Sequence, residues 1–430
     1  CHICRHVSLD GRLITMHPNW KIMSRVFGRI GLMSFGGPAA QISLMYDVLV
    51  RHYEWLSDQE YLRALSLCML LPGPEAMQLA TYAGWRLRGV VGGLLAGLLF
   101  IFPGTIIIFL IALGYIFFGN LLAIQAAFLG VKSTVAVIVL QAVFRLKDTA
   151  LTGKTSWILA CTTFISIFVF GLPFPLIIFL AGCYGYLSSQ NSNPLPLPAI
   201  RVLPVSTICF WVGLWILPLV ILRFFDHEFL FGIGIFFSKL SIVTFGGAYA
   251  VLAYMAQEVV QSYGWVTAGQ MIDALGLAET TPGPLILVIE FVALLAGFTE
   301  GGISVAILSG LIALWVTFTP CFLWIFVAGP YLDVIASQPR LLAALNAIAA
   351  SVVGVILNLS VWFILYVLFT DIHQIDGIAL PLPDVQTFNL SALYFIGLAM
   401  VLMLKFRVNL ILTMMILATT GCTLSLLGFI

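Results

Sequence analysis

Charge is scarce in this sequence. Asp, Glu, Lys and Arg together make up 9% of its 430 residues, where a soluble domain carries about 25%, so an ordinary water-soluble enzyme is excluded. The formal net charge is +1 and no basic block stands out, so nucleic acid is not an expected partner. Ligand spacing is also missing. Six of the eight cysteines, at positions 68, 161, 183, 209, 321 and 422, stand singly in apolar stretches and read as small buried hydrophobes. Cys1 and Cys4 form a C-x-x-C, but Arg5 follows where c-type haem attachment needs His. With His6 and His17 nearby, this stretch reads as polar leader rather than metal site. Residues 1–25 lack a signal peptide's apolar core. Neither H-E-x-x-H nor G-x-S-x-G occurs, which argues against an intramembrane hydrolase. No metal and no cofactor are expected.

What abounds is apolar surface. Hydrophobic residues reach 61%, with 33 Phe and 38 Gly, and the mean hydropathy is +1.11. Runs at about 89–118, 121–144, 156–171, 173–187, 206–222, 302–328, 341–369, 390–404 and 408–430 give nine crossings, most of them near the ~17–25 residues a spanning helix needs. The stretch from Ser188 to Pro204 holds four prolines and no periodicity and reads as a linker. The expected domains are a polar tail (1–25), a first membrane repeat (26–187), the linker (188–205) and a second repeat (206–430).

Four more apolar segments, 26–50, 60–86, 236–260 and 270–297, are broken in the middle. Two carry Phe-Gly-Gly (35–37 and 245–247) and two carry Pro-Gly-Pro (72–74 and 282–284). Breaks leave backbone groups unpaired, which is tolerated in a bilayer only inside protein or along a watery cavity. The breaks also repeat. One offset of 210 superposes both motifs, together with Phe27 on Phe237, Arg29 on Lys239, Met45 on Met255, Tyr53 on Tyr263 and Trp55 on Trp265. Weaker similarity continues at an offset of 220, so insertions lie between the broken segments and the following helix.

Charge placement orients the copies. Residues 1–200 hold 13 Lys/Arg against 7 Asp/Glu, and residues 201–430 hold 6 against 11. Lys21, Arg25, Arg51, Arg63, Arg86 and Arg88 flank the first copy. The second copy's corresponding loops are read as carrying Gln261, Asp273, Glu300 and Asp371. Basic loops stay cytoplasmic, and five crossings separate the copies, an odd number that inverts the second. Basic residues at both ends of each broken segment of copy one favour re-entrant segments over full crossings. The expected class is an all-α polytopic membrane protein of two inverted-topology repeats with broken or re-entrant helices.

Such repeats place a site at the pseudo-two-fold axis, where half-helix N-termini aim positive dipoles at an anion. The stretches FGGPAAQISLMYDVLVRHYEWLSDQEYLRALSLCMLLPGPEAMQLATYAGWRLRG and FGGAYAVLAYMAQEVVQSYGWVTAGQMIDALGLAETTPGPLILVIEFVALLAGF resemble the chromate ion transporter family, and the chain from about Trp20 onward looks like its long, two-domain form. That resemblance implies chromate efflux across the cytoplasmic (inner) membrane, driven by the membrane potential or protons, with sulfate as the look-alike dianion. Composition and spacing alone reach only a transporter for an anion. A sulfate or other anion permease and an anion channel stay open as alternatives, and the expected partners are the oxyanion and the lipid bilayer, with a homodimer also open.

The expected substrate-binding residues are Arg29, Gly36, Gly37, Gly73, Gln78, Lys132, Lys239, Gly246, Gly247, Thr281 and Gly283. Lys132 is a cation in mid-span, where an unpaired charge costs about 2.5–3.5 kcal/mol or more. It is expected to face a cavity, binding the dianion or pairing with a buried Glu. Glu75, Glu279 and Glu290, near the breaks, are the candidates for a coupled proton. Thr280, Asn346 and Asn358 are further donors, and Trp55 and Trp265 read as interfacial anchors.

Overall fold

A computed structural model describes residues 18–119, 121–189, 205–245, 248–331, 338–375 and 378–428. Residues 1–17 of the expected polar leader and 190–204 of the expected linker fall outside these residues, as do Gly246 and Gly247, while residues 20–25 of that leader belong to the first helix. The first copy begins with α1 (Trp20–Met33), capped by Asn19 Oδ1 accepting from the Lys21 amide. The chain breaks at Ser34–Gly36 and resumes as α2 (Gly37–Tyr46), which widens into a π-turn over Asp47–His52. Ser57 then caps α3 (Asp58–Leu70). After the second break comes α4 (Glu75–Phe118), which turns at Arg88–Gly89.

Each broken segment returns to the face it started from. Arg86, at the far end of the 60–86 segment, pairs with Glu60 at its beginning. Phe27, at the start of the 26–50 segment, packs on Trp55 beyond the π-turn, with ring centroids 6.1 Å apart. Arg88 Nε donates to the Pro18 carbonyl at 2.7 Å and its guanidinium covers the Trp20 ring. The re-entrant arrangement is therefore the observed one, and Arg51, Arg63, Arg86 and Arg88 belong to segments that begin and end on one face.

α4 is a helical hairpin rather than one rod. Arg88 and Gly89 leave helical geometry, Gly89 with φ +64°. A Cβ on Gly93 would lie 3.0 Å from the Thr81 carbonyl, and one on Gly97 would press on Thr81 Oγ1. In a straight helix residues 81 and 97 would stand about 24 Å apart. Gly84, Gly92, Gly93 and Gly97 thus let two antiparallel arms touch backbone to backbone.

The second copy repeats this element by element. α8 (Val205–Phe224) leads to α9 (Glu228–Val243), α10 (Ala248–Gln257) with its own π-turn at Glu258–Ser262, and α11 (Ala268–Thr280). Thr267 caps α11 in a capping box with Gln270, at the position matching Ser57. A short 3-10 turn (Leu285–Leu287) opens α12 (Val288–Ala328), which folds back at Gly301–Gly302. That turn matches Arg88–Gly89 in its backbone angles but at an offset of 213, and Pro320 matches Pro103 at 217. The insertions expected between offsets 210 and 220 therefore lie along the second hairpin.

Outside this core stands a bundle of six helices: α5 (Leu122–Ala150), α6 (Lys154–Phe168), α7 (Phe174–Ser188), α13 (Pro339–Leu368), α14 (Leu390–Met400) and α15 (Leu410–Leu426). Close-packed glycines join it: Gly130 meets the Leu417 backbone, Gly421 that of Ala126, Gly354 that of Ala160 and Gly185 that of Ala343 and Ala344. The acidic loop after α13 carries a two-stranded antiparallel ribbon, β1 (Ile372–Ile375) and β2 (Ile378–Pro383). Apolar helices correspond to all nine expected crossings, and the protein is a multi-pass membrane protein. The bundle covers the two copies unequally. Leu62 and Met69 on α3 are 55% and 45% exposed, whereas their counterparts on α11, Ile272 and Glu279, are 1% and 5% exposed, because α5 packs along α11.

Candidate functional site

At the centre the two copies grip each other through their breaks. The Gly73 amide of the first Pro-Gly-Pro donates to the Thr244 carbonyl at 2.9 Å, and the Gly283 amide of the second donates to the Ser34 carbonyl at 2.9 Å. Both donors and both acceptors are related by the offset of 210. The clasp is an exchange of identical hydrogen bonds between inverted copies. Ser34 and Thr244 are themselves fixed by hydroxyl bonds to Ile30 and Leu240 carbonyls, each at 2.6 Å. Gly73 rests on Cys321 of the second copy's hairpin and Gly283 on Gly104 of the first. Positive φ values of +121° at Gly73 and +94° at Gly283 make glycine the residue that fits.

This geometry places the expected residues individually. Gly36 and Gly37 have φ of +83° and +80° and start α2. Gly73 and Gly283 stand at the centre as expected, but their amides are engaged in the clasp. The amides facing no acceptor along their own helices are those after the breaks, Glu75 to Met77 and Leu285 to Ile286, since the first intrahelical donors are Gln78 and Leu287. Gln78 is fully buried and braces its own break, Nε2 donating to the Pro72 carbonyl at 2.6 Å. Thr281 is buried and bonds to Ala278, while Thr280 bonds to Leu277. Glu279 is buried one turn before the second break, Glu75 opens the half-helix after the first, and Glu290 is 2% exposed with Oε2 unpartnered among the described residues. Arg29 on α1, Lys239 on α9 and Asn346 on α13 are exposed. Trp55 and Trp265 are half-buried: Trp265 packs on Phe236 at 5.5 Å, so both indoles close the ends of re-entrant segments.

Gln41 was not legible beforehand. It is 1% exposed, and its Nε2 reaches the Gly283 carbonyl at 2.6 Å and the Ser34 carbonyl at 3.3 Å, so one side chain of copy one ties both partners of the clasp.

Lys132 faces a cavity of about 450 Å3 lined also by Tyr115, Gln125, Thr267, Gln270, Asp273 and Thr299. Its partner is an Asp rather than a Glu: Lys132 Nζ lies 3.0 Å from Asp273 Oδ1, and the Tyr115 hydroxyl donates to Asp273 Oδ2 at 2.7 Å. The reading of Asp273 as a loop residue is thereby corrected. It sits five residues into α11, roughly 8 Å along the helix from its start, and is 5% exposed. The sequence signal was the apolar run Met-Ile-Asp-Ala-Leu-Gly-Leu, in which an unpartnered acid has no reason to stand. Among the described residues, no group of three or more His, Cys, Asp or Glu could hold a metal ion.

The sequence pattern of the chromate transporter family matches residues 21–186 and 231–422, both copies in turn. The chain belongs to the chromate transporter family. It is 30% identical over 341 residues to a chromate transport protein of Pseudomonas aeruginosa, covering 77% of each chain. It is 29% identical over 343 residues to one of Cupriavidus metallidurans, covering 77% of this chain and 79% of the relative. A probable chromate transport protein of Synechococcus elongatus is 29% identical over 349 residues, with 80% and 85% covered. No solved structure matches. The two matched stretches contain both halves of the clasp, Lys132 and Asp273.

Proposed function

We propose that this chain is a secondary carrier for a tetrahedral oxyanion, chromate first, exporting it across the cytoplasmic membrane by alternating access under the membrane potential or a proton gradient. The observation that carries this reading is Lys132, a cation inside an apolar helix that faces a cavity at the junction of bundle and core. The family's named relatives supply chromate as the ion. The half-helix amides of Glu75 to Met77 and Leu285 to Ile286, aligned with their helix dipoles, supply a second attraction for negative charge. Gly36, Gly37, Gly73 and Gly283 let the chain turn there, Gln78 and Thr281 line the breaks with polar atoms, and Gly246 and Gly247 complete the set by repeat. Arg29 and Lys239 are left out of this site. Glu75, Glu279 and Glu290 are kept as proton carriers, Glu290 foremost because its oxygen is unpartnered.

Alternating access is supported by the unequal cover of the copies. The bundle covers α11 and leaves Leu62 and Met69 of α3 exposed, and in a molecule of inverted copies the pseudo-two-fold-related arrangement, with the bundle over α3, is the natural second state. The test is flux of labelled chromate and of labelled sulfate in proteoliposomes under imposed pH or voltage gradients. Saturable chromate flux that follows the gradients and falls in Lys132→Ala is expected. Equal flux in Lys132→Ala removes the site, sulfate preferred over chromate makes this a sulfate permease, and gradient-insensitive flux at channel rates overturns the carrier reading.

A further inference from the structure

Asp273 has no place in the reading above, yet it holds the residue on which that reading stands. Its two oxygens are divided between Lys132 of the bundle at 3.0 Å and Tyr115 of the core hairpin at 2.7 Å. The Lys132 side chain is 24% exposed and that of Asp273 is 7% exposed, so the cation is open to the cavity while the carboxylate lies behind it. The rim adds neutral donors. The Gln270 side-chain oxygen accepts from the Thr267 amide in the helix cap, which leaves its NH2 group as a donor, and Gln125 and Thr299 line the same space.

We propose that Asp273 is a built-in stand-in for the transported oxyanion: it occupies Lys132 in the empty carrier, and an incoming dianion takes Lys132 from it as one proton from the cavity water moves onto the released carboxylate. One oxyanion and one proton enter together: an O–H bond of a hydronium ion in the cavity water is broken, leaving water, as an O–H bond forms on Asp273, and no other covalent bond changes. Without the proton, the dianion and the buried carboxylate would both face one ammonium, an arrangement of two anions at one site that like-charge repulsion disfavours. With it, Lys132 keeps an anionic partner in both states, and α5 stays tied to the core through either Asp273 or the substrate.

Other carboxylates stand on the same elements but outside the cavity lining: Glu279 on α11 and Glu290 on α12 are buried, and Glu300 is exposed on α12. Among the described residues the charged or titratable side chains lining the cavity are Tyr115, Lys132 and Asp273; α12 presents Leu295, Phe298 and Thr299. Among the described side chains, α10 carries Tyr254, stacked on Phe174 at 5.6 Å, and α13 carries Arg340, set over Tyr186, and Tyr366, packed on Trp362 at 4.6 Å. The position of copy one that matches Asp273 is Arg63, and Val352 matches Lys132. The exchange therefore operates on one face of the membrane only.

This inference rests on the oxyanion-carrier reading, and the experiment separates the two. Equilibrium binding of labelled chromate to the purified protein is measured across a pH series for the wild type, Asp273→Asn and Lys132→Ala. The wild type is expected to bind more weakly as pH rises, by up to tenfold per unit, Asp273→Asn to bind with little pH dependence, and Lys132→Ala to lose binding by tenfold or more. A second measurement needs no variant: in weak buffer with a pH indicator, the wild type should take up close to one proton per bound ion, with chromate added at a pH where it is already the dianion. No proton uptake, or an unchanged pH slope in a folded Asp273→Asn protein, shows the pair to be a static tie and overturns the inference while the carrier reading survives. Absence of chromate and sulfate binding by the wild type overturns both.

Discussion

Replacing Gly73 by Ala tests whether the clasp has the geometry described. A Cβ at this position would lie 2.7 Å from Gln78 Nε2 and 2.9 Å from Cys321 Sγ, both fixed by buried surroundings. The backbone φ of +121° adds strain of about 1–3 kcal/mol for a side-chain-bearing residue, and overpacking adds about 1–3 kcal/mol, so the expected cost is about 2–6 kcal/mol. An unfolding entropy of roughly 2 cal/mol/K per residue, applied to all 430 residues, converts this to about 2–7 °C in Tm. Helices that survive in micelles lower that entropy and enlarge the shift. Gly28→Ala is the control, since a Cβ there meets nothing within 4 Å and Ala in a helix is better than Gly by about 0.5–1 kcal/mol. Gly283→Ala should fall between, because its nearest neighbour at 2.9 Å is the mobile end of Leu287. The assay is thermal unfolding in detergent with chromate flux measured on the same preparations. Equal Tm and flux in Gly73→Ala and Gly28→Ala would refute the clasp.

Two further outcomes follow from the same contacts. Gln41→Leu removes the side chain that bonds the Gly283 carbonyl at 2.6 Å and should destabilise the protein by about 1–3 kcal/mol, read by the same thermal assay, with Gln41→Glu failing to rescue it because a carboxylate cannot donate. Arg86→Glu, by contrast, breaks a pair whose side chains are 51% and 25% exposed; it should cost under about 1 kcal/mol, and the exchange Glu60→Arg with Arg86→Glu should restore the wild-type Tm.

The breaks, the repeat and the crossings were readable because they are written in glycine, proline and hydropathy, which act locally. The re-entrant path was readable from Arg51 and Arg63, since cations at both ends of a segment bind it to one face. The pairing of Lys132 with Asp273 was not, because it joins residues 141 positions apart on α5 and α11, and only packing decides which acid a buried lysine meets. Asp273 was assigned to a loop since its counterpart, Arg63, flanks one; the copies share a backbone while the bundle buries just one of them. Arg29 and Lys239 behave alike in the two copies. Their matched positions suggested a shared role, and on α1 and α9 the buried faces run through Val26, Phe27 and Ile30 and through Phe236, Phe237 and Leu240, which leaves both cations exposed. The reversals in α4 and α12 fall where the sequence already divides one segment from the next, between 86 and 89 and between 297 and 302; what it did not show is that the helix stays unbroken by any loop, a single glycine with positive φ making each turn.

Inversion of the copies is tested most directly by single cysteines at Ser57 and Thr267, the exposed caps of α3 and α11, reacted with a membrane-impermeant maleimide in sealed vesicles of known orientation against a background lacking both. The account predicts that the position-57 cysteine reacts from the cytoplasmic side alone and the position-267 cysteine from the opposite side alone. Labelling of both from the same side would contradict it.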